Sequence, residues 1–176
     1  MPKLTFDPSR HVYRLDGNII PSVTQIMKPL SQKAYDGIDP AIMEKAAARG
    51  TAVHDACEFY ARYGADECPD EYCGYMAAYK RWFDDYHVKP IQTEQMLYHP
   101  WMLYAGTLDL IAEVDGEVML VDYKTTSSIK DMLTRVQLEA YSRMLYVHGN
   151  DVPGRAILQL RGDGNYTFKK YESPDM

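Results

Sequence analysis

Hydrophobic and polar residues follow two different periods along this chain, and the changes of period divide it into elements. Short alternating runs predict strands at Leu4–Phe6 and His11–Leu15, because every second side chain of a half-buried strand faces the core. Ser22 predicts the N-cap of a short helix that ends before Pro29, and residues 31–37 are expected to form a loop.

Apolar residues at helical spacing indicate three longer helices. Asp39 followed by Pro40 is typical of a helix start, and Asp131 is expected to cap the last helix. The aromatic residues of the second helix recur on one face, and packing in the core is the simplest explanation of that stripe. The predicted helices run from about Pro40 to Arg62, from Glu71 to His87 and from Met132 to His148.

Strands are predicted between and after these helices. The order of helices, three strands, a helix and further strands predicts an α/β (α+β) fold in which helices flank a mixed central sheet. At 176 residues, the whole chain 1–176 is expected to form a single domain. The predicted strands are Ile91–Tyr98, Trp101–Val114, a strand following Gly116, Ala156–Leu160 and Tyr166–Tyr171.

The most informative local pattern is a hairpin between the second and third of these strands. Asp115-Gly116 favours a two-residue type I′ turn, which would place Asp109 opposite Asp122. Side chains alternate between faces, so Lys124 would join Asp122 on one face. Two opposed carboxylates repel each other unless a cation lies between them, and Mg²⁺ prefers carboxylate and water oxygens. The three residues therefore predict a site that cleaves phosphodiesters.

The alternative is an ordinary solvent-exposed hairpin face, on which charged residues are common. Ile111 and Leu120 share the predicted face with the two acids, and such apolar neighbours favour the rim of a pocket. Glu94 lies one strand earlier and could be a further ligand or orient one. Taken alone, however, a solvated strand residue explains Glu94 equally simply.

Four further residues could support this site. Gln137 and Tyr141 lie four residues apart on one helix face, where they could bind a phosphate or hold Lys124. His54 could ligate a metal and Glu58 could orient it. Surface polarity and an ordinary helix histidine are the competing explanations. There is no phosphate-binding glycine loop and no serine-nucleophile motif.

Composition limits the function classes. The formal net charge of −6 argues against a generic nucleic-acid coat but not against an enzyme that acts on DNA. Phosphate contacts could come from a local patch, with Arg49 as a possible clamp. No apolar run has transmembrane length and no secretory signal is apparent, so we expect no membrane association and a cytoplasmic location. The residues of the patch are Lys28, Lys33, Lys45 and Arg49.

The cysteine content also favours a cytoplasmic location. Three cysteines without a secretory signal favour reduced thiols, and a zinc or iron–sulfur site would need four ligands at tighter spacing. We therefore expect no iron–sulfur cluster. The three are Cys57, Cys68 and Cys73.

Four ordered motifs together resemble the PD-(D/E)XK nuclease superfamily, and more closely its phage-type and RecB-like exonuclease branch, which includes lambda exonuclease and RecE-like enzymes. PSVTQIM at 21–27 also looks like the start of such phage proteins. The resemblance spans residues 21–146 and implies a restriction-endonuclease-like αβββαβ core. The motifs are RGTAVH at 49–54, GTLDLI at 106–111, VDYK at 121–124 and QLEAY at 137–141.

The resemblance also implies roles for individual residues. His54, Asp109 and Asp122 would bind Mg²⁺ or Mn²⁺, joined by the backbone carbonyl of Tyr123, and Lys124 would position or activate the attacking water. Gln137 and Tyr141 would support the site and contact DNA, and Glu94 matches an acidic position one strand before the first aspartate. Leu108 replaces the proline of the motif, and Asp122 stands where glutamate is also used.

The implied function is a phage or prophage exonuclease that acts on linear duplex DNA in recombination or repair. A single-strand annealing protein is an expected partner, and the resemblance allows either a ring-shaped oligomer or a monomer. Two alternatives stay open at this stage. One is a nuclease-like module that binds DNA or protein without cutting, and the other is a restriction-type endonuclease.

Overall fold

The computed structural model describes residues 2–172, and these begin with a small antiparallel sheet. Its strand order is β1-β2-β3, so each strand pairs with the next one along the chain. The hydroxyl of Tyr13 lies 2.8 Å from Thr107 Oγ1, which ties this sheet to the larger one. The two strands predicted here are confirmed. The strands are β1 (Leu4–Asp7), β2 (Val12–Leu15) and β3 (Asn18–Ile20).

The first helices include one that the sequence pattern did not indicate. Ser22 caps α1 (Val23–Ile26) in a capping box with Gln25, as predicted. The loop expected at 31–37 is wrong for its first part, because α2 (Lys28–Ala34) occupies it. The short helix α1 ends before Pro29, as predicted. Pro29 also lies in the first turn of α2, where a missing N–H costs nothing, so a second helix begins at this proline.

The two long helices before the main sheet follow the predicted pattern. Asp39 Oδ1 accepts a hydrogen bond from the Ala41 amide and caps α3 (Pro40–Tyr63), which ends at Gly64 in the left-handed conformation with a φ of 67°. A short 3-10 turn leads into α4 (Cys73–Asp85).

The last helix is α5 (Asp131–Val147), and the expected cap at its start is wrong. The N-cap position is Lys130, whose side chain makes no capping hydrogen bond. Asp131 lies inside the helix, and its carboxylate accepts hydrogen bonds from three side chains, one on α5 and two on the strand Tyr166–Tyr171, which compete with the helix amides for its oxygens. They belong to Arg135, Lys169 and Tyr171.

Five strands form the main sheet in the order β4-β5-β6-β7-β8. β6 and β7 are parallel and joined through α5, while the other neighbours are antiparallel. The second strand begins at Tyr104, three residues later than predicted, because residues 101–103 form the turn before it. The strands are β4 (Lys89–His99), β5 (Tyr104–Val114), β6 (Glu117–Lys124), β7 (Gly154–Leu160) and β8 (Tyr166–Tyr171).

The turn between β5 and β6 is the one that the sequence predicts. Asp115 and Gly116 both have positive φ, at 49° and 85°, as a type I′ turn requires. The ladder pairs Val114 with Glu117 and continues to Leu110 and Val121. It ends there, so the two strands separate at the residues that follow.

Helices cover both faces of the main sheet. Trp82 and Tyr79 of α4 are fully buried between the sheet and α3, which confirms that the aromatic stripe packs in the core. α5 and α1 cover the other face, where Leu138 and Val23 belong to one buried cluster with Leu120. The expected α+β fold with a mixed central sheet between helices is confirmed. Within residues 2–172, no helix has the length and apolar character needed to cross a membrane.

Candidate active site

The candidate site lies where β5 and β6 separate. Asp109 and Asp122 follow directly after the last pair of the ladder and are not themselves paired in it. Asp109 Oδ2 instead accepts a hydrogen bond of 2.6 Å from the backbone amide of Tyr123. A side-chain carboxylate therefore takes the place of a strand partner at this amide, which fixes the position of Asp109 at the open end of the hairpin.

Asp109 is part of a cluster of three possible metal ligands. His54 reaches it from α3, with 3.4 Å between His54 Nδ1 and Asp109 Oδ1. Glu94 reaches it from β4, and one ligand atom from each of these three residues lies within 4.8 Å of the others. The cluster brings together two residues predicted as metal ligands and one predicted only as possible support.

The strand register explains the position of Glu94. Thr93 pairs with Leu110 and Gln95 pairs with Leu108, so Glu94 lies between them, opposite Asp109. Its φ of 46° is unusual for a residue with a side chain, and strained backbone of this kind is concentrated at functional sites. The four-residue turn at 100–103 sets this register, and it was the signal in the sequence that could have placed Glu94 at the site.

A second group continues from Asp122 to α5. Lys124 Nζ lies 2.5 Å from Asp122 Oδ2 and donates a hydrogen bond of 2.8 Å to Gln137 Oε1. Gln137 Nε2 in turn donates to the Tyr141 hydroxyl over 3.4 Å. Gln137 and Tyr141 thus hold the lysine, which is one of the two possibilities that the sequence left open.

Tyr123 contributes its backbone to the site and its side chain to the core. Its hydroxyl lies 2.7 Å from the hydroxyl of Tyr79 of α4, and both rings are fully buried. With the hydroxyl held in the core, the polar groups that Tyr123 offers the site are its amide and carbonyl, and its ring packs against the His54 ring with 5.5 Å between the centroids. The carbonyl is the group that the family resemblance assigns to the metal.

The carboxylate of Asp109 changes the proton affinity of its two neighbours. Burial by itself lowers the pKa of His54, but the Asp109 carboxylate outweighs burial and raises this pKa to about 9. Burial raises the pKa of Glu94, and repulsion from Asp109 and Glu58 adds to that, so the pKa of Glu94 reaches about 7. Without metal at pH 7, His54 is therefore charged, and Glu94 holds its proton far more readily than an ordinary glutamate.

The aspartates and the lysine are strongly desolvated. The side chains of Asp109 and Asp122 are only 11% and 4% exposed. Burial raises the pKa of both acids; in Asp109 the His54 cation and the Tyr123 amide reverse this and lower it, whereas in Asp122 the Lys124 ammonium offsets burial only in part. Burial lowers the pKa of Lys124, but Asp122 outweighs burial and raises it. Lys124 is therefore a cation at neutral pH.

The residues present fit a hard or borderline divalent cation. Carboxylate oxygens suit Mg²⁺ and Mn²⁺, and an imidazole nitrogen is better suited to Mn²⁺ than to Mg²⁺. Asp122 Oδ2 is buried and makes no hydrogen bond of good geometry with residues 2–172, although Lys124 lies beside it. Lys124 thus contacts this oxygen as an opposite charge, and a carboxylate oxygen has the capacity to accept a further partner.

Two support residues from the sequence analysis have other surroundings. Glu58 Oε1 lies 2.6 Å from Arg62 Nη2, one helical turn further along α3, and the structure shows no direct bond between Glu58 and His54. Arg49 extends over the ring of Tyr75, with 5.9 Å between its Cζ and the ring centroid. Its Nε is buried and finds no hydrogen-bond partner among the described residues.

The fold and the site together define a restriction-endonuclease-like domain with a carboxylate–lysine centre. A model of the PD-(D/E)XK nuclease superfamily matches residues 74–173, more than half of the chain. The protein belongs to this superfamily, whose members are metal-dependent nucleases. His54 lies outside the matched range, although the structure places it beside Asp109. No curated protein matches this chain.

Proposed function

We propose that this protein is a deoxyribonuclease that hydrolyses phosphodiester bonds with Mg²⁺ or Mn²⁺, and that it acts as an exonuclease of the phage-type branch. The observation that carries the proposal is the cluster of His54, Glu94 and Asp109. It lies beside the Asp122–Lys124 pair at the end of the hairpin. A binding module would have no need to keep such an electrostatically costly group of buried charges.

The ligand set would combine the cluster with the neighbouring strand. His54, Glu94 and Asp109 offer one nitrogen and two carboxylates within a short distance of one another. Asp122 and the carbonyl of Tyr123 would complete the set. A divalent cation bound here would lower the pKa of a water molecule and offset charge on the scissile phosphate.

Lys124 would act as a cation and not as a base. Its raised pKa keeps the ammonium protonated, so it cannot accept a proton from water at neutral pH. It can donate hydrogen bonds to the attacking water or to a phosphate oxygen, and it stabilises negative charge that develops there. The hydrogen bond to Gln137 Oε1 aims the ammonium, so Gln137 is a positioning residue.

The biological setting belongs to the proposal and rests on the sequence resemblance. We propose a phage or prophage enzyme of recombination or repair that works in the cytoplasm. It would act with a single-strand annealing protein and could form a ring that encloses linear duplex DNA. A ring would keep the enzyme on its substrate between successive cuts.

The test is a cleavage assay on linear and closed circular duplex DNA with Mg²⁺, with Mn²⁺ and with chelator. We expect metal-dependent loss of the linear DNA only, and Asp122→Asn should lower the rate at least about 10³-fold by removing a ligand charge. Glu117→Gln is the matched control, because Glu117 lies at the other end of β6 and its side chain is 67% exposed.

Three results would count against the proposal in different ways. Cutting of the circular DNA would show that the enzyme is an endonuclease and not an exonuclease. Equal rates for Asp122→Asn and the parent would reject the assignment of the site. Binding of DNA by the parent without any cutting would favour the non-catalytic alternative.

A further inference from the structure

Three arginines around the turn between β7 and β8 have no acidic partner. Arg49, Arg81 and Arg161 make no ion pair with any carboxylate of residues 2–172. Four of the other arginines are neutralised, for example Arg143, which lies 2.7 Å from Glu139 Oε1. Arg10 and Arg14 at the small sheet also make no ion pair within the described part of the chain, but they lie away from the β7–β8 turn. Unpaired guanidinium groups on one side of a chain with a net charge of −6 call for an explanation.

Backbone packing holds this turn against α4. A Cβ atom built on Gly74 would lie 1.8 Å from the carbonyl oxygen of Gly162, so the turn contacts the first turn of α4 without intervening side chains. A Cβ on Gly162 would in turn lie 3.2 Å from the ring of Tyr75. The Arg49 guanidinium lies over this same ring, so Arg49 and the turn are neighbours across Tyr75.

Hydrogen bonds connect the turn to the active site. Arg161 Nη2 donates to Gln159 Oε1 at 3.0 Å, and Gln159 Nε2 donates to the carbonyl of Thr126 at 2.7 Å. Gln159 pairs with Lys124 in the parallel ladder, so this chain of contacts begins directly beside the lysine. A single residue, Gln159, therefore links the Arg161 side chain to β6, the strand that carries Asp122 and Lys124.

Arg81 extends the same region outward. Its Nη2 donates to Asn165 Oδ1 at 3.2 Å, and its Cζ lies 5.3 Å from the ring centroid of Tyr166. Two acids lie near these arginines without forming an ion pair with them, although the charge of Arg161 does act on Asp163. Asp163 accepts a hydrogen bond from the Asn165 amide, and Asp85 accepts one from the Tyr166 hydroxyl.

We propose that Arg49, Arg161 and Arg81 form a phosphate-binding track, called here the arginine track, that holds the DNA backbone as it leaves the active site. This proposal rests on the proposed function. A guanidinium group binds phosphate through parallel N–H donors, and a buried N–H without an acceptor is costly. The Arg49 Nε is such a donor, and a phosphate oxygen would satisfy it. The track also gives an acidic protein a local attraction for DNA.

The experiment measures binding of a linear duplex by fluorescence anisotropy in chelator, so that no DNA is cut, over a series of salt concentrations. Arg81→Ala, Arg161→Ala and Arg49→Ala remove one contact each. Each should weaken binding and reduce the slope of log affinity against log salt by about 0.9. Arg143→Ala is the matched control, since it removes the same charge from a paired arginine that is 55% exposed, on α5 across the sheet.

The outcomes separate the two proposals. A parent that neither binds nor cuts DNA overturns both the proposed function and the track. A parent that cuts DNA, while the three track variants keep the affinity and slope of Arg143→Ala, overturns the track alone. Thermal unfolding checks that each variant is folded, and Arg81→Ala and Arg161→Ala decide the question if Arg49→Ala is unstable.

Discussion

Lys124 Nζ donates a 2.8 Å hydrogen bond to Gln137 Oε1 across the space between β6 and α5. The bond fixes the direction of an ammonium group that would otherwise be held only by the Asp122 carboxylate. Gln137 touches neither substrate nor metal in the proposed mechanism, so its effect should pass through Lys124.

We therefore expect Gln137→Ala to lower kcat about 10-fold while KM stays within about twofold. The variant no longer fixes the direction of the Lys124 ammonium group, but it keeps the contacts that bind the substrate. Gln137→Glu retains an acceptor oxygen and should recover part of the rate. Steady-state kinetics on linear DNA measures both constants. A rise in KM without a change in kcat would show that Gln137 binds DNA instead of aiming the lysine.

The proton affinities of His54 and Glu94 predict how metal binding depends on pH. The pKa of His54 is raised to about 9 by Asp109, and that of Glu94 is raised to about 7 by burial. Both groups must lose their protons before they can ligate a metal, so binding releases protons.

The affinity for Mn²⁺ should therefore rise with pH, about 10-fold per unit between pH 7 and 9 and more steeply below pH 7, and level off above pH 9. Calorimetric titration with Mn²⁺ at pH 6, 7, 8 and 9 measures this slope. An affinity that does not change over this range would show that His54 and Glu94 are not ligands.

Glu94 should also destabilise the metal-free protein at alkaline pH. Its carboxyl has a folded pKa of about 7 against an ordinary value of 4.5, so the cost appears as the pH rises above 4.5 and is complete above 7. Glu94→Gln removes that charge and should stabilise the metal-free protein by about 1–2 kcal/mol at pH 8, after allowance for partial solvent screening.

The same variant should have no advantage at pH 4, and saturating Mn²⁺ should stabilise it less than the parent. Urea unfolding with chelator and with Mn²⁺ at both pH values provides the measurement. Glu58→Gln is a useful control, since Glu58 is already paired with Arg62. If Glu94→Gln were less stable than the parent at pH 8, the proposed electrostatic cost would be wrong.

Local signals in the sequence predicted much of the fold because each acts over a few residues. Asp115 and Gly116 require positive φ, which only certain turns supply, and the structure has that turn. Asp39 with Pro40 likewise marks the start of α3. The missed helix at residues 28–34 has the same origin, since a proline that follows one helix can also begin the next, and the local pattern does not show which.

The candidate site depended on relations that are not local. The sequence predicts Asp109 and Asp122 as an opposed pair, but the ladder ends one pair before them. The strands separate there, and the two carboxylates have different partners: the Tyr123 amide and Lys124. The place of Glu94 follows from the register of a neighbouring strand, which a single-residue argument cannot supply. The error at Asp131 also arises at a distance, because Lys169 of β8 competes for its carboxylate.

The last prediction concerns Gly74, which contacts the backbone of the β7–β8 turn, a contact that the sequence does not reveal. Alanine is normally better than glycine inside a helix by about 0.8–1 kcal/mol, so propensity alone predicts that Gly74→Ala stabilises α4. The structure predicts the opposite, since the new Cβ would lie 1.8 Å from the backbone oxygen of Gly162, which cannot rotate away as a side chain can. We expect the free energy of unfolding in urea to fall by about 2–3 kcal/mol, from overpacking.

Gly162→Ala is the comparison variant, because its new Cβ would lie 3.2 Å from the Tyr75 ring, and it should cost less. Equal or greater stability of Gly74→Ala would mean that α4 and the β7–β8 turn are not in contact, and the support for the arginine track would be lost with it.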